Sequence, residues 1–257
     1  MNAGSNTGAD AGTTPANSYD GNAAVIVPQA VEKLPLFHWR PGARLLAVGS
    51  RAGTSFTPDL HRDEGSSFQR AFTPALLNEV LAKMPVAGVV ATWCESLWFP
   101  RGLATLAACD LPLIIATSGH GDPLPWLDRT AAWVLWIDAA QPNPPTAARD
   151  ILARGRHVEI VLGVDGTELP DLPWERASVV HLVPRQPSAD PVLRRDWYAA
   201  ARTRLAGLIT YDEDHPHSEC VCGASLVWRS GGRSRVDALT AAGTCHTCGR
   251  AAGFAHP

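Results

Sequence analysis

The residues best suited to chemistry in this 257-residue chain are its cysteines, and four of the six fall between Cys220 and Cys248. The segment "TCHTCGRA" contains Cys245-x-x-Cys248-Gly249. That spacing folds the chain into a tight knuckle: two thiolates face one metal ion, and the glycine lets backbone amides turn toward the sulfurs. One knuckle gives two ligands, so the others must come from elsewhere. Upstream, "HSECVCGASL" repeats the Cys-Gly ending at Cys222-Gly223, with Cys220 one position closer than in the downstream pair. Cys222, Cys245 and Cys248 read as ligands, and Cys220, Glu219 or His217 completes the tetrahedron. Free thiols or a disulfide are the alternative. A closed four-ligand zinc site has no open position for substrate, which makes this tail a staple.

Between the two half-sites, "ASLVWRSGGRSRVDAL" predicts a hairpin, with Leu226 and Trp228 alternating with polar residues and Ser230-Gly231-Gly232 turning the chain. That is the layout of a zinc ribbon. Arg229, Arg233 and Arg235 lie on the hairpin, but Asp237 and the acidic "YDEDH" before it offset their charge, so nucleic acid is not the expected partner.

A second set of polar residues follows apolar runs. Thr92 to Glu95 come after "VAGVVAT", Thr117 to Asp122 after "LPLIIAT", Ser50 to Asp63 after "ARLLAVG", and His181 and Arg185 close a later run. Glu95 is the most pointed of these, because a carboxylate directly after a buried strand would meet an amine-bearing ligand at the sheet edge. Plainer readings stand beside it: Thr117-Ser118-Gly119 as a turn, His181 as a core histidine, Cys94 and Cys109 as small buried residues, and the charges of "DLHRDE" as a solvated loop.

The elements that must position these groups are legible as runs. "ARLLAVG", "VAGVVAT", "LPLIIAT", "AAWVLWID", "HVEIVLG", "ASVVHLV" and "AGLIT" are short and mostly lack alternation, as expected for strands buried on both faces of a parallel sheet. Thr73-Pro74 caps "ALLNEVLAKM", and "RGLATLAAC", "PPTAARDILARG" and "DPVLRRDWYAAARTRLAG" have helical character. Alternating strand and helix predict a β/α architecture, either an open doubly wound sheet or a full or partial barrel.

Composition narrows the class. With 46% hydrophobic residues and a net charge of -3, the chain can bury one sizeable core plus an appendage. Only Lys33 and Lys83 are lysines among 22 basic residues, which leaves little for amine catalysis. Residues 1–24 begin with a Gly, Ala, Asn, Thr and Ser-rich stretch and are expected to be a disordered leader. No signal peptide or membrane-length apolar run is present, and a cytoplasmic protein is expected. The phosphate-loop, nucleophile-elbow, His-Glu-x-x-His and dinucleotide fingerprints are absent.

The ordered series "VEKLPLFHWRPGARLLAVGS", "GVVATWCESLWF", "LPLIIATSGH", "HVEIVLGV" and "CVCGASLVWRSGGRSRV...GTCHTCG" resembles radical S-adenosylmethionine proteins of the pyruvate formate-lyase-activating type, and within them the AmmeMemoRadiSam branch. The resemblance covers about Val25 to Gly253. It implies an α/β fold, a partial β/α barrel of TIM type over residues 25–212, with a zinc-ribbon domain at 213–257. It also implies a Cys-x-x-x-Cys-x-x-Cys loop after the first strand, holding a [4Fe-4S] cluster that binds S-adenosylmethionine. Here that loop reads "GSRAGTSFTPDLHRDE": the cysteine positions fall on Gly53, Thr57 and Leu60, and only Pro58 keeps its type. Without thiolates a low-potential cluster is not expected. Rebuilding one from His61, Cys94 and Cys109 would need unrelated positions to converge.

Where the family carries Thr-Tyr-Asn-Glu-Pro, this chain has Thr92-Trp93-Cys94-Glu95-Ser96, which keeps the glutamate that faces the methionyl amine. Thr117-Ser118-Gly119 stands for Thr-Asn-Gly, and Asn143-Pro144-Pro145 replaces Asp-Leu-Lys, so the lysine is lost. Glu95, Thr117, Ser118 and Gly119 are thus the candidate cofactor-binding residues, with S-adenosylmethionine as the ligand the resemblance implies. Cys220, Cys222, Cys245 and Cys248 are the candidate metal ligands. The expectation is a catalytically degenerate subunit or accessory protein that binds a protein partner or an active paralogous enzyme. Exposed tryptophans among Trp93, Trp98, Trp126, Trp133, Trp136 and Trp174 would support it. The alternatives are a repurposed enzyme using Glu95, His61, Asp63, His120 and Asp122 at the barrel mouth, or a radical enzyme with non-standard cluster ligands.

Overall fold

The structure is a computed structural model that describes residues 20–34, 36, 38–50, 70–139, 144–164, 170–184, 208–210, 217–220, 222–230 and 233–252. The first described element is β1 (Asn22–Ala23), which pairs antiparallel with β4 (Arg70–Ala71). The end of the expected leader is ordered: Ala23 is buried in the core, and Asp20 accepts a hydrogen bond from Arg101 N at 2.9 Å.

Each of the seven apolar runs contains a strand. In chain order, β2 (Val25–Ala30) precedes β3 (Arg44–Gly49), and β5 (Gly88–Ala91), β6 (Leu113–Thr117), β7 (Thr130–Asp138), β8 (Val158–Val164), β9 (Val179–Pro184) and β10 (Leu208–Thr210) follow β4. β11 (His217–Glu219), β12 (Ser225–Ser230) and β13 (Arg233–Val236) are the last among the described residues. One sheet takes eleven of them in the order β13-β12-β11-β10-β9-β8-β7-β6-β5-β3-β2. Pairing is parallel from β3 to β10, with β2 antiparallel on one side and β11 to β13 antiparallel on the other. The parallel strands are added in sequence order. A doubly wound sheet reverses direction at a switch point, and this one is singly wound.

Helix placement agrees. Among the described residues the helices are α1 (Pro74–Lys83), α2 (Pro100–Ala107) and α3 (Thr146–Arg154). α1 begins where the sequence predicts: Thr73 Oγ1 accepts Leu76 N at 3.2 Å and Pro74 takes the first turn, where its missing N–H costs nothing. All three helices bury their apolar stripes on one face, where Leu77, Leu103, Leu106, Ile151 and Leu152 meet Leu46, Val89, Ile115, Leu135 and Ile160. Leu45, Ala47, Val90, Ile114, Val134 and Val161 point the other way, against Val31, Leu34, Leu36 and Trp39 of the segment before β3. Both faces are covered, which is why the runs show no alternation. The expected helix at 190–207 lies outside the described residues. Among the described residues, no helix is long and apolar enough to cross a membrane.

Two features bear on the expected division at residue 213. β10 and β11 pair through Leu208 with Glu219 and Thr210 with His217, so the sheet continues across it. Beyond, Leu226, Val227, Cys220 and Cys245 form a separate small cluster.

Candidate functional site

At the distal edge of the sheet, the sulfurs of Cys220, Cys222, Cys245 and Cys248 all lie within 4.8 Å of one another. The fourth member is thus Cys220. The close approaches are Cys220 Sγ to Cys248 Sγ at 3.5 Å and Cys222 Sγ to Cys245 Sγ at 3.8 Å. A tetrahedral ion with metal–sulfur distances of about 2.3 Å separates its sulfurs by roughly 3.8 Å, so the donor set fits one such ion. Gly223 (φ +85) and Gly249 (φ +71) occupy the left-handed region that makes each knuckle, and their N–H groups return to the carbonyls of Cys220 and Cys245 at 2.8 Å.

The knuckles also treat their sulfurs differently. Burial pushes Cys220 up to about 12, with the neighbouring thiols adding to the rise and the Cys222 N–H opposing it. For Cys245, burial works against ionisation, yet the N–H groups of Cys248 and Thr247 aimed at its sulfur bring it down to about 6. Amides directed at one sulfur favour its thiolate form, the form a metal needs. Among the described residues, this is the group of three or more His, Cys, Asp or Glu side chains arranged to hold an ion.

The second predicted set also comes together, at the carboxyl ends of β5 and β6. Gly49 lets the chain pass close by: a Cβ there would meet the Thr92 carbonyl at 2.8 Å. Trp93 follows with φ +58, a strained conformation for a bulky residue, and redirects the chain so that Glu95 turns inward. Glu95 is fully buried. Its Oε1 accepts Leu97 N at 3.2 Å and the Thr117 hydroxyl; its Oε2 accepts Ser118 N at 2.9 Å and Ser118 Oγ at 2.5 Å. Gly119, at φ +83, donates its N–H to Thr117 Oγ1 at 2.9 Å. A carboxylate offers about four acceptor positions, and here all four have donors from the chain itself. Thr117 is the last residue of β6, and the Thr117 and Ser118 hydroxyls are spent on Glu95.

The remaining candidates are dispersed. His120 is exposed, its ring 6.4 Å from that of Trp98, and Asp122 Oδ1 accepts Leu124 N at 3.0 Å, two residues along its own segment. Cys94 is buried, its thiol pushed up by burial despite contacts with Ser50 and Ser96, and Cys109 Sγ donates to Leu106 O at 3.0 Å. Gly53, Thr57, Pro58, Leu60, His61, Asp63, Asn143 and Arg185 lie outside the described residues. None of the six tryptophans offered as interface anchors is exposed, and Trp133 is the largest fully buried side chain. On the hairpin, Arg235 Nε and Nη2 donate to Asp237 at 2.8 and 3.2 Å, which ties up that cation.

One polar cluster was missed. Glu159, fully buried near the start of β8, receives the backbone N–H of His38 at 2.8 Å and faces His157 Nε2 at 2.9 Å and His181 Nε2 at 2.8 Å. Burial would raise its pKa, but the hydrogen bonds and charge of the two imidazoles outweigh this and hold it well below the usual glutamate range. His181 is therefore a core histidine with a carboxylate partner. The signal available in sequence was a carboxylate inside the apolar run "HVEIVLG", which must find donors when buried. No family model, curated protein or solved structure matches the chain.

Proposed function

We propose that this chain is a catalytically degenerate relative of the radical S-adenosylmethionine proteins, with a singly wound sheet that corresponds to their partial barrel and a C-terminal zinc ribbon, and that it works by binding a protein partner. The observation that carries this reading is the filled coordination of Glu95: the glutamate that would face the methionyl amine has its four acceptor positions taken by Leu97, Thr117 and Ser118. Releasing it for an incoming ammonium would strip donors from a buried carboxylate, at a cost of several kcal/mol. The loop that would hold the cluster contains no cysteine, which removes the reducing centre from the same end of the sheet.

Zinc fits the four sulfurs better than a redox metal would fit the rest of the chain, because the donors are four thiolates in two knuckles, a closed structural set. Its contribution when bound is to fold and fix the tail. The chain supplies the sulfurs, the left-handed glycines and the amides that stabilise Cys245 as thiolate.

Anaerobic reconstitution with iron, sulfide and reductant, followed by assay for 5′-deoxyadenosine, tests the reading. No product above the protein-free control is expected, together with a stoichiometric protein partner in crosslinked complexes isolated from the source cells. Turnover of S-adenosylmethionine would contradict it.

A further inference from the structure

The four cysteines differ in exposure, and the difference has a pattern. Cys222 and Cys248 are exposed, whereas Cys220 and Cys245 are buried. The close approaches cross from one knuckle to the other, Cys248 to Cys220 at 3.5 Å and Cys222 to Cys245 at 3.8 Å. Each close pair thus joins one exposed cysteine to one buried cysteine. An exposed thiolate is the atom an oxidant reaches first, and a buried thiolate at van der Waals distance is placed to resolve the product. Cys94 and Cys109 lack this arrangement: the first is buried beside Ser50 and Ser96, the second is bonded to a backbone carbonyl.

We propose that the four-cysteine cluster is a peroxide-responsive metal site, in which hydrogen peroxide oxidises the cross-knuckle pairs Cys248–Cys220 and Cys222–Cys245 to disulfides and discharges the metal ion. This rests on the zinc reading above. The exposed thiolate attacks one peroxide oxygen, the O–O bond breaks, and the leaving hydroxide takes a proton to become water. The sulfenic acid left on the exposed cysteine is attacked at sulfur by the facing thiolate. The S–S bond forms and a second hydroxide leaves, again as water. Two thiolates, one peroxide and two protons become one disulfide and two waters, so each pair reduces one peroxide by two electrons. Zinc stays divalent throughout and leaves because disulfide sulfurs no longer carry the charge that held it.

The cross-knuckle direction matters for the fold. Among the described residues, Cys220 and Cys245 share their cluster with Leu226 and Val227 as the other buried apolar members. A disulfide within one knuckle would leave the two halves unlinked once the ion departed. Disulfides between knuckles keep them joined, so the tail can lose its metal and regain it on reduction without falling apart.

The test uses the full chain as purified, with its metal content measured first. Hydrogen peroxide is then titrated while a chromogenic chelator reports released zinc, and non-reduced tryptic peptides are mapped by mass spectrometry. Arg229, Arg233 and Arg235 separate the knuckles on digestion, so a cross-knuckle disulfide joins two peptides whereas a link between Cys245 and Cys248 stays within one. Loss of all bound zinc at about two peroxides per chain is expected, with joined peptides and full recovery on adding reductant and zinc. Cys109→Ser should release zinc as the unaltered chain does. Zinc retained under roughly tenfold excess peroxide, or links confined to one knuckle, overturns this proposal and leaves the zinc reading standing. Absence of zinc at the outset overturns both.

Discussion

Two buried glutamates place carboxylates near opposite ends of one sheet, and each is satisfied by different chemistry. Glu95 is surrounded by neutral donors, two amides and two hydroxyls. Glu95→Gln would turn an amide NH2 toward groups that can only donate, or force the hydroxyls to rotate. We expect a loss of about 2 kcal/mol, or roughly 4–8 °C in Tm for a chain this long; an unchanged melting temperature would show that the latch contributes nothing. Glu159 instead relies on two imidazoles, and its folded pKa lies well below the ordinary 4.5. A group depressed on folding stabilises the protein above its unfolded pKa and loses that contribution as pH falls through the folded value. The stability advantage of the unaltered chain over Glu159→Gln should therefore shrink as pH falls below about 5. Denaturant titrations across that range check it, and an advantage that grows toward acid would reverse the sign. The sequence marked Glu95 by its place after an apolar run, and Thr117 and Ser118 by theirs after the next, but that they meet, and whether the carboxylate is open or filled, depends on pairing and rotamers. Glu159 escaped notice because its donors come from His181 on the next strand and from the His38 amide, 121 residues away.

At the scale of elements, punctuation was the most readable signal. Thr73-Pro74 starts α1, and the Cys-Gly endings make left-handed turns at Gly223 and Gly249. No atom lies within 4 Å of where a Cβ would sit on Gly249, so Gly249→Ala tests conformation alone. A left-handed alanine costs about 1–2 kcal/mol, and we expect the metal to dissociate roughly tenfold more readily from this variant in chelator competition. Equal retention would mean the knuckle geometry does not govern binding. β2 went unread because Pro28 interrupts "VIVPQA"; proline is accommodated there because β2 is an edge strand, with its partner β3 on one side. The order of strands was equally closed to sequence. Runs without alternation report burial on both faces, which doubly wound and singly wound sheets share, and only the pairing from β3 through β10 distinguishes them.

For the whole molecule, the consequence is a large sheet packed on both faces and a small separate cluster at its edge, beside four cysteines that could hold a metal ion. The parallel strands and three helices bury extensive apolar surface, whereas the hairpin of β12 and β13 depends on a cluster in which two of the four buried members are cysteines. Chelation should accordingly be local: amides of β12 and β13 lose hydrogen-exchange protection while those of β3 to β8 keep theirs. Uniform loss would mean that the tail and sheet form one cooperative unit. The most direct test of the account is elemental analysis of the full chain purified anaerobically with iron and sulfide supplied. The account predicts about one zinc per chain and negligible iron. Near-stoichiometric iron with acid-labile sulfide would contradict it, because a cluster would then be held by a chain whose first loop carries no thiolate.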